Sequence, residues 1–146
     1  MRKRTKAREI ALKILYQSEI TRREIKLVMQ NFFDMMEAVD KNVEEFSHRI
    51  ALGVEEHLEE IDQVITKHAT NWQLKRMAII DRNILRLGVY ELLFAPDIPP
   101  KVTINEAVEL AKKYGDIESS KFVNGILDKI HKTDIVTQKK PNGKMG

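Results

Sequence analysis

The segment from residue 80 to residue 95 is apolar on nearly every side of a helix, with Ile80, Ile84, Leu85, Leu87, Val89, Leu92 and Leu93 spread around its circumference. A helix of this kind has no face to give to water. It has to run through the centre of a bundle, and the rest of the chain has to supply amphipathic helices that cover it. The sequence supplies them at a 3.6-residue period. Residues 5–19 place Ala7, Ile10, Ala11, Ile14 and Leu15 on one face, and residues 24–38 do the same with Ile25, Val28, Phe32, Phe33 and Met36. Residues 43–68 read as one long third helix, with Phe46, Ile50, Val54, His57, Leu58, Ile61 and Ile65 inward and glutamates outward. After a break at Asn71-Trp72, a short fourth helix over 73–78 leads into the central fifth. Pro96, Pro99 and Pro100 stop the fifth and stiffen the next link. Thr103 with Glu106 forms a capping box for a sixth helix that ends near Tyr114, with Gly115 after it. A seventh follows, capped by Ser119 or Ser120, with Val123, Ile126, Leu127 and Ile130 as its buried stripe. The expected fold class is all-α, about seven helices, in a single domain over residues 1–136. The polar, Lys-rich stretch 137–146, with Pro141-Asn142-Gly143, reads as a mobile tail.

Composition closes several other routes. With 146 residues, of which 42% are hydrophobic, the chain can bury a core. Only 6 Gly and 4 Pro, with few alternating β-branched runs, argue against a sheet protein. No cysteine means no disulfide and no cysteine-ligated zinc, which fits a reducing cytoplasm. No apolar run reaches the roughly 18–20 residues a membrane helix needs, so no membrane role is expected. The four histidines lack a ligand spacing such as HExxH, and P-loop, GxGxxG and nucleophile-elbow motifs are absent. The reading is a non-enzyme without a cofactor.

The net charge of +3 hides a polar distribution along the chain. Arg2, Lys3, Arg4, Lys6 and Arg8 crowd the first eight residues, whereas seven acidic residues fall between Glu44 and Asp62. A polyanion would meet the ends of the chain and avoid the middle. Projected at 100° per residue, Arg2, Lys6, Glu9, Lys13 and Tyr16 share the outer side of the first helix. A cationic face that carries an aromatic suits single-stranded nucleic acid; a solvated basic face with a surface tyrosine is the plainer alternative. On the seventh helix, Lys121, Phe122, Asn124 and Gly125 border the buried stripe. Phe122 serves either packing or base stacking. Asp81 and Arg82, at the start of the central helix, are expected near the surface. Arg86 and Glu91 are expected in a packing ion-pair network, with Asp81, Glu91 or Glu106 as partners for the arginines.

Four stretches, Ala7-Arg-Glu-Ile-Ala-Leu-Lys-Ile-Leu-Tyr16, Asp81-Arg-Asn-Ile-Leu-Arg-Leu-Gly-Val-Tyr-Glu-Leu92, Val102-Thr-Ile-Asn-Glu-Ala-Val-Glu-Leu-Ala-Lys112 and Lys121-Phe-Val-Asn-Gly-Ile-Leu-Asp128, occur in the order seen in the NusB family of bacterial transcription antitermination factors, and the chain resembles that family. The resemblance implies two small packed helical bundles and no catalysis. It implies binding of the boxA element of nascent ribosomal RNA, together with the small-subunit ribosomal protein NusE, in a complex that carries RNA polymerase past terminators. It assigns RNA contacts to Arg2, Lys3, Arg4, Lys6, Arg8 and Tyr16, to Asp81 where the family usually has Glu, and to Lys121 and Phe122; Asn124 is added as a reader of base edges. It places NusE near Asp81, Arg82 and Glu118. Relatives that dimerise leave monomer and homodimer both open. Two other readings compete: the NusB-like first domain of a ribosomal RNA cytosine methyltransferase, which needs a catalytic domain these residues do not encode, and a helical protein-binding module without specific RNA binding.

Overall fold

A computed structural model describes residues 2–69 and 73–135. The expected break at Asn71-Trp72 and the tail from Thr137 lie outside the described residues. Among the described residues there are seven α-helices and no strand: α1 (Lys3–Thr21), α2 (Ile25–Asp34), α3 (Lys41–Glu56), α4 (Leu58–His68), α5 (Ile79–Phe94), α6 (Pro100–Tyr114) and α7 (Ser119–Ile130). The chain divides into two compact units between Leu58 and Glu59.

In the first unit α1 packs on α3 and α2. Ala7 and Ala11 are fully buried, and their small side chains let α3 come close enough for Ser47 Oγ to donate to the Ala7 carbonyl at 3.2 Å. Asp40 caps α3 by accepting from the backbone N–H of Asn42 (2.8 Å) and Val43 (3.3 Å), and it pairs with Lys3 at 3.1 Å. The Lys3 ammonium, hydrogen-bonded to this carboxylate, holds it below the usual range; burial opposes that and the backbone N–H groups reinforce it. The first helix is covered on more sides than its apolar stripe requires. Glu9, expected on the outer side, is buried, and so is Arg8, which was expected to contact RNA.

In the second unit α5, α6 and α7 pack on one another around the apolar segment. Ile84, Leu85, Leu87, Val89 and Leu92 are all buried, as expected of a central helix. Gly88 lets α7 approach: a Cβ there would lie 2.8 Å from Leu127 Cδ1. Arg86 forms a fork to Asp62 on α4, Nε to Oδ1 at 2.8 Å and Nη2 to Oδ2 at 3.0 Å, so its acid is one the sequence did not nominate. His68 meets Asp134 at 3.1 Å and fastens the five-residue π-type turn His131–Ile135 to α4.

The helix count agrees with expectation through two offsetting differences. The long third helix is two, because the chain turns at His57 (φ −112°, ψ 23°). The apolar stripe continues in phase across that turn, so its period gives no warning. The expected fourth helix is one 3₁₀ turn, Leu74–Arg76. The capping box also gives way. Helix α6 begins four residues earlier, with Pro99 as its N-cap and Pro100 at its first position, where its fixed φ and missing N–H cost nothing. Thr103 is then inside the helix and buried, and its Oγ1 donates to the wholly buried Glu91 carboxylate at 2.7 Å. Gly115 follows α6 in an extended conformation; a Cβ there would clash with the Ser119 side chain and the Ala111 carbonyl.

Candidate nucleic-acid interface

In the first unit Arg2, Lys3, Arg4, Lys6, Lys13 and Tyr16 are exposed, with Tyr16 37% accessible. The helical projection therefore placed the tyrosine correctly. Of the basic residues assigned to RNA, Arg8 departs: it is 2% exposed, with its guanidinium 5.2 Å from the Phe46 ring centroid, and acts in the α1–α3 seam. Lys3 is engaged with Asp40. Arg2, Arg4 and Lys6 are the arm residues that combine exposure with no role in capping α3.

In the second unit a cleft of about 640 Å³ opens between the start of α5 and the start of α7. Met77, Ala78 and Phe122 form its apolar lining, Arg76 and Lys121 bring positive charge, and Asp81, Asp116 and Glu118 bring negative charge. The loop between α6 and α7 builds one wall. Asp116 Oδ1 accepts from the Glu118 N–H at 2.9 Å, and Ser119 Oγ accepts from the Asp116 N–H at 3.0 Å, a local turn that replaces the expected serine cap. This places the Phe122 ring half-exposed at the cleft.

Asp81 is the half-buried acid of the cleft. Burial pushes its carboxyl above the usual carboxylate range; a hydrogen bond with Ser119 opposes the rise and the Asp116 charge adds to it. Its Oδ1 is buried without a hydrogen-bond partner, so the cleft holds an acceptor that a donor from a bound molecule would satisfy.

Four of the nominated residues, Asp81, Glu118, Lys121 and Phe122, thus share one cleft. Asn124 does not line it; it is exposed further along α7. Arg82 does not sit near the surface as expected. It is buried, and its Nη1 donates to the carbonyls of Leu74 (3.0 Å) and Met77 (3.2 Å), holding the 3₁₀ turn against α5. Sequence reasoning missed Arg76, Met77 and Asp116. An Asp-x-x-Ser turn ahead of α7 was a readable signal for Asp116, whereas Arg76 and Met77 depend on how the turn folds back.

The chain's sequence matches the model of the NusB family over residues 5–132, across both units. The chain belongs to the NusB family. It is 46% identical over 130 residues to the transcription antitermination protein NusB of Myxococcus xanthus, covering 87% of this chain and 93% of that one. Among solved structures it resembles T. maritima NusB, with a TM-score of 0.85 and 42% identity over 93% of this chain and 95% of the other. It also resembles a chain in a crystal structure of the antitermination factors NusB and NusE in complex with dsRNA, with a TM-score of 0.82 and 33% identity over 90% of this chain and 98% of that chain.

Proposed function

We propose that the protein is an RNA-binding antitermination factor of the cytoplasm. It binds boxA of nascent ribosomal RNA together with NusE, helps RNA polymerase pass terminators, and performs no catalysis itself. The observation that carries this reading is the second unit's cleft, where a half-exposed aromatic, a lysine and an unsatisfied carboxylate oxygen meet in a member of the NusB family. A solved relative in complex with NusE and RNA supports the same partners.

Each unit contributes its own kind of contact. Arg2, Arg4 and Lys6 hold phosphates, and Tyr16 offers a ring for an unstacked base. Phe122 stacks or packs against a base or a partner side chain, Lys121 supplies charge, and Asn124 reads a base edge or a 2′-hydroxyl. Asp81 and Glu118 take donors from RNA or from NusE. Arg82 supports that surface from behind by fixing the 3₁₀ turn.

Fluorescence anisotropy with boxA RNA and a scrambled RNA, each titrated with NusE, tests the reading. Preference for boxA that NusE strengthens is the expected result. Equal weak binding of both RNAs, with and without NusE, would sink it and leave a protein-binding helical module.

A further inference from the structure

We propose that Arg76 is an RNA-binding residue of the second unit's cleft, where its guanidinium holds a backbone phosphate on the α5 side as the counterpart of Lys121 on the α7 side. Arg76 ends the 3₁₀ turn Leu74–Arg76 and lines the cleft with an exposed side chain. The turn beneath it is tightly held. The Arg76 N–H donates to the Gln73 carbonyl at 2.9 Å and the Met77 N–H to the Leu74 carbonyl at 3.2 Å. From behind, the buried Arg82 donates to the carbonyls of Leu74 and Met77. An exposed guanidinium thus stands on a fixed backbone, so a bound group orders only the side chain.

The charges around the cleft show what it lacks. Three carboxylates line it, yet among the described residues neither Arg76 nor Lys121 pairs with any of them. Asp116 is taken up by its own loop, its Oδ1 accepting from the Glu118 N–H at 2.9 Å and from Ser119 Oγ at 3.2 Å. Asp81 carries a buried oxygen that needs a donor. A guanidinium left to solvent keeps its planar fork for an outside acceptor, and a phosphate takes two of its N–H groups at once. A nucleotide brings together an anion for Arg76, a flat face for the apolar lining of Met77 and Phe122, and base-edge N–H donors for Asp81. An acidic side chain of a protein partner brings only the first of these.

The assignment rests on the RNA-binding function proposed above and adds a contact on the wall that precedes α5. Lys75 supplies an internal comparison: it is exposed on the same turn and does not line the cleft.

Anisotropy titrations of boxA RNA over a range of salt concentrations, without and with NusE, test it on the wild-type protein, Arg76→Gln, Arg76→Lys and Lys75→Gln, with far-UV circular dichroism as the check on folding. Loss of one phosphate contact on a single strand lowers the slope of log K against log salt by about 0.7, which is about fivefold in affinity at 0.1 M salt. Arg76→Gln is expected to show both changes on RNA alone, and Lys75→Gln neither. Arg76→Lys is expected to keep the slope, because an ammonium retains the charge. If Arg76→Gln matches the wild type in affinity and slope, the assignment is wrong while the functional reading stands. Equal losses in Arg76→Gln and Lys75→Gln, or a slope as low in Arg76→Lys as in Arg76→Gln, overturn it too. A loss seen only with NusE present places Arg76 against the protein partner and overturns the phosphate contact. If the wild-type protein itself binds no RNA, the functional reading falls and the assignment with it.

Discussion

Two phenylalanines, one in each unit, are set in opposite ways. Phe46 is buried, and arginines crowd its face. Phe122 is half-exposed at a cleft whose rim mixes both signs of charge. In the first unit the ring holds the arginines in the α1–α3 seam, and the proposed role of the exposed basic residues of the arm is long-range attraction that salt screens. In the second the charges frame the ring, and the stacking contact proposed for it is short-range and far less sensitive to salt. The contrast teaches that the proposed interface separates residues suited to drawing a strand in from residues suited to discriminating it.

Replacing Arg2, Arg4 and Lys6 together by Gln should break the comparison most visibly. Three lost phosphate contacts lower the salt slope by about 2 and the affinity about a hundredfold at 0.1 M salt. Titrations at several salt concentrations read both, and an unaltered slope would remove the arm from the interface.

The next largest effect is on stability and contrasts two ion pairs. The Arg86–Asp62 fork is largely shielded from water, whereas Lys3–Asp40 is open to it. Arg86→Ala is expected to cost about 2–3 kcal/mol in urea unfolding, because it strands a carboxylate that has lost two charged hydrogen bonds. Lys3→Ala should cost far less. Because Lys3 and the cap hold the Asp40 carboxyl below its unfolded value of 3.8, its contribution is present above that pH and is lost as pH falls through the folded value. Equal losses for the two variants would show that exposure does not set the worth of these pairs.

Phe122→Ala sharpens the other half. It should weaken boxA binding by about 1–3 kcal/mol, leave the salt slope alone and keep the helical signal. Unchanged affinity would return Phe122 to packing. The smallest change is expected for Asp81→Asn. The folded Asp81 carboxyl is raised above 3.8, so its ionisation destabilises the native state as pH rises through that range. The asparagine variant should therefore be slightly more stable at neutral pH, with a flatter acid-range profile in thermal unfolding. A loss of stability would mean that the carboxylate is better satisfied than its buried oxygen indicates.

The sequence by itself determined the helical class, the central place of α5 and the outward direction of Tyr16 and Lys121. Those properties follow from periodicity, which reports the side of a helix on which a residue stands. Only the tertiary structure decided what covers each side. Glu9 stands on the polar side of α1 and is nevertheless buried, and Arg82 turns inward because the 3₁₀ turn offers it two carbonyls. The turn at His57 escaped notice because the apolar stripe runs through it unbroken. Thr103 lost its capping role because Pro100 offered an earlier helix start, and a buried glutamate claimed its hydroxyl. The cleft depends on residues 40 positions apart, Asp81 and Lys121, and no local pattern reports that distance. Spacing along the chain encodes local geometry. Burial, partner choice and the shape of a cleft depend on which distant segments meet, and packing alone settles that.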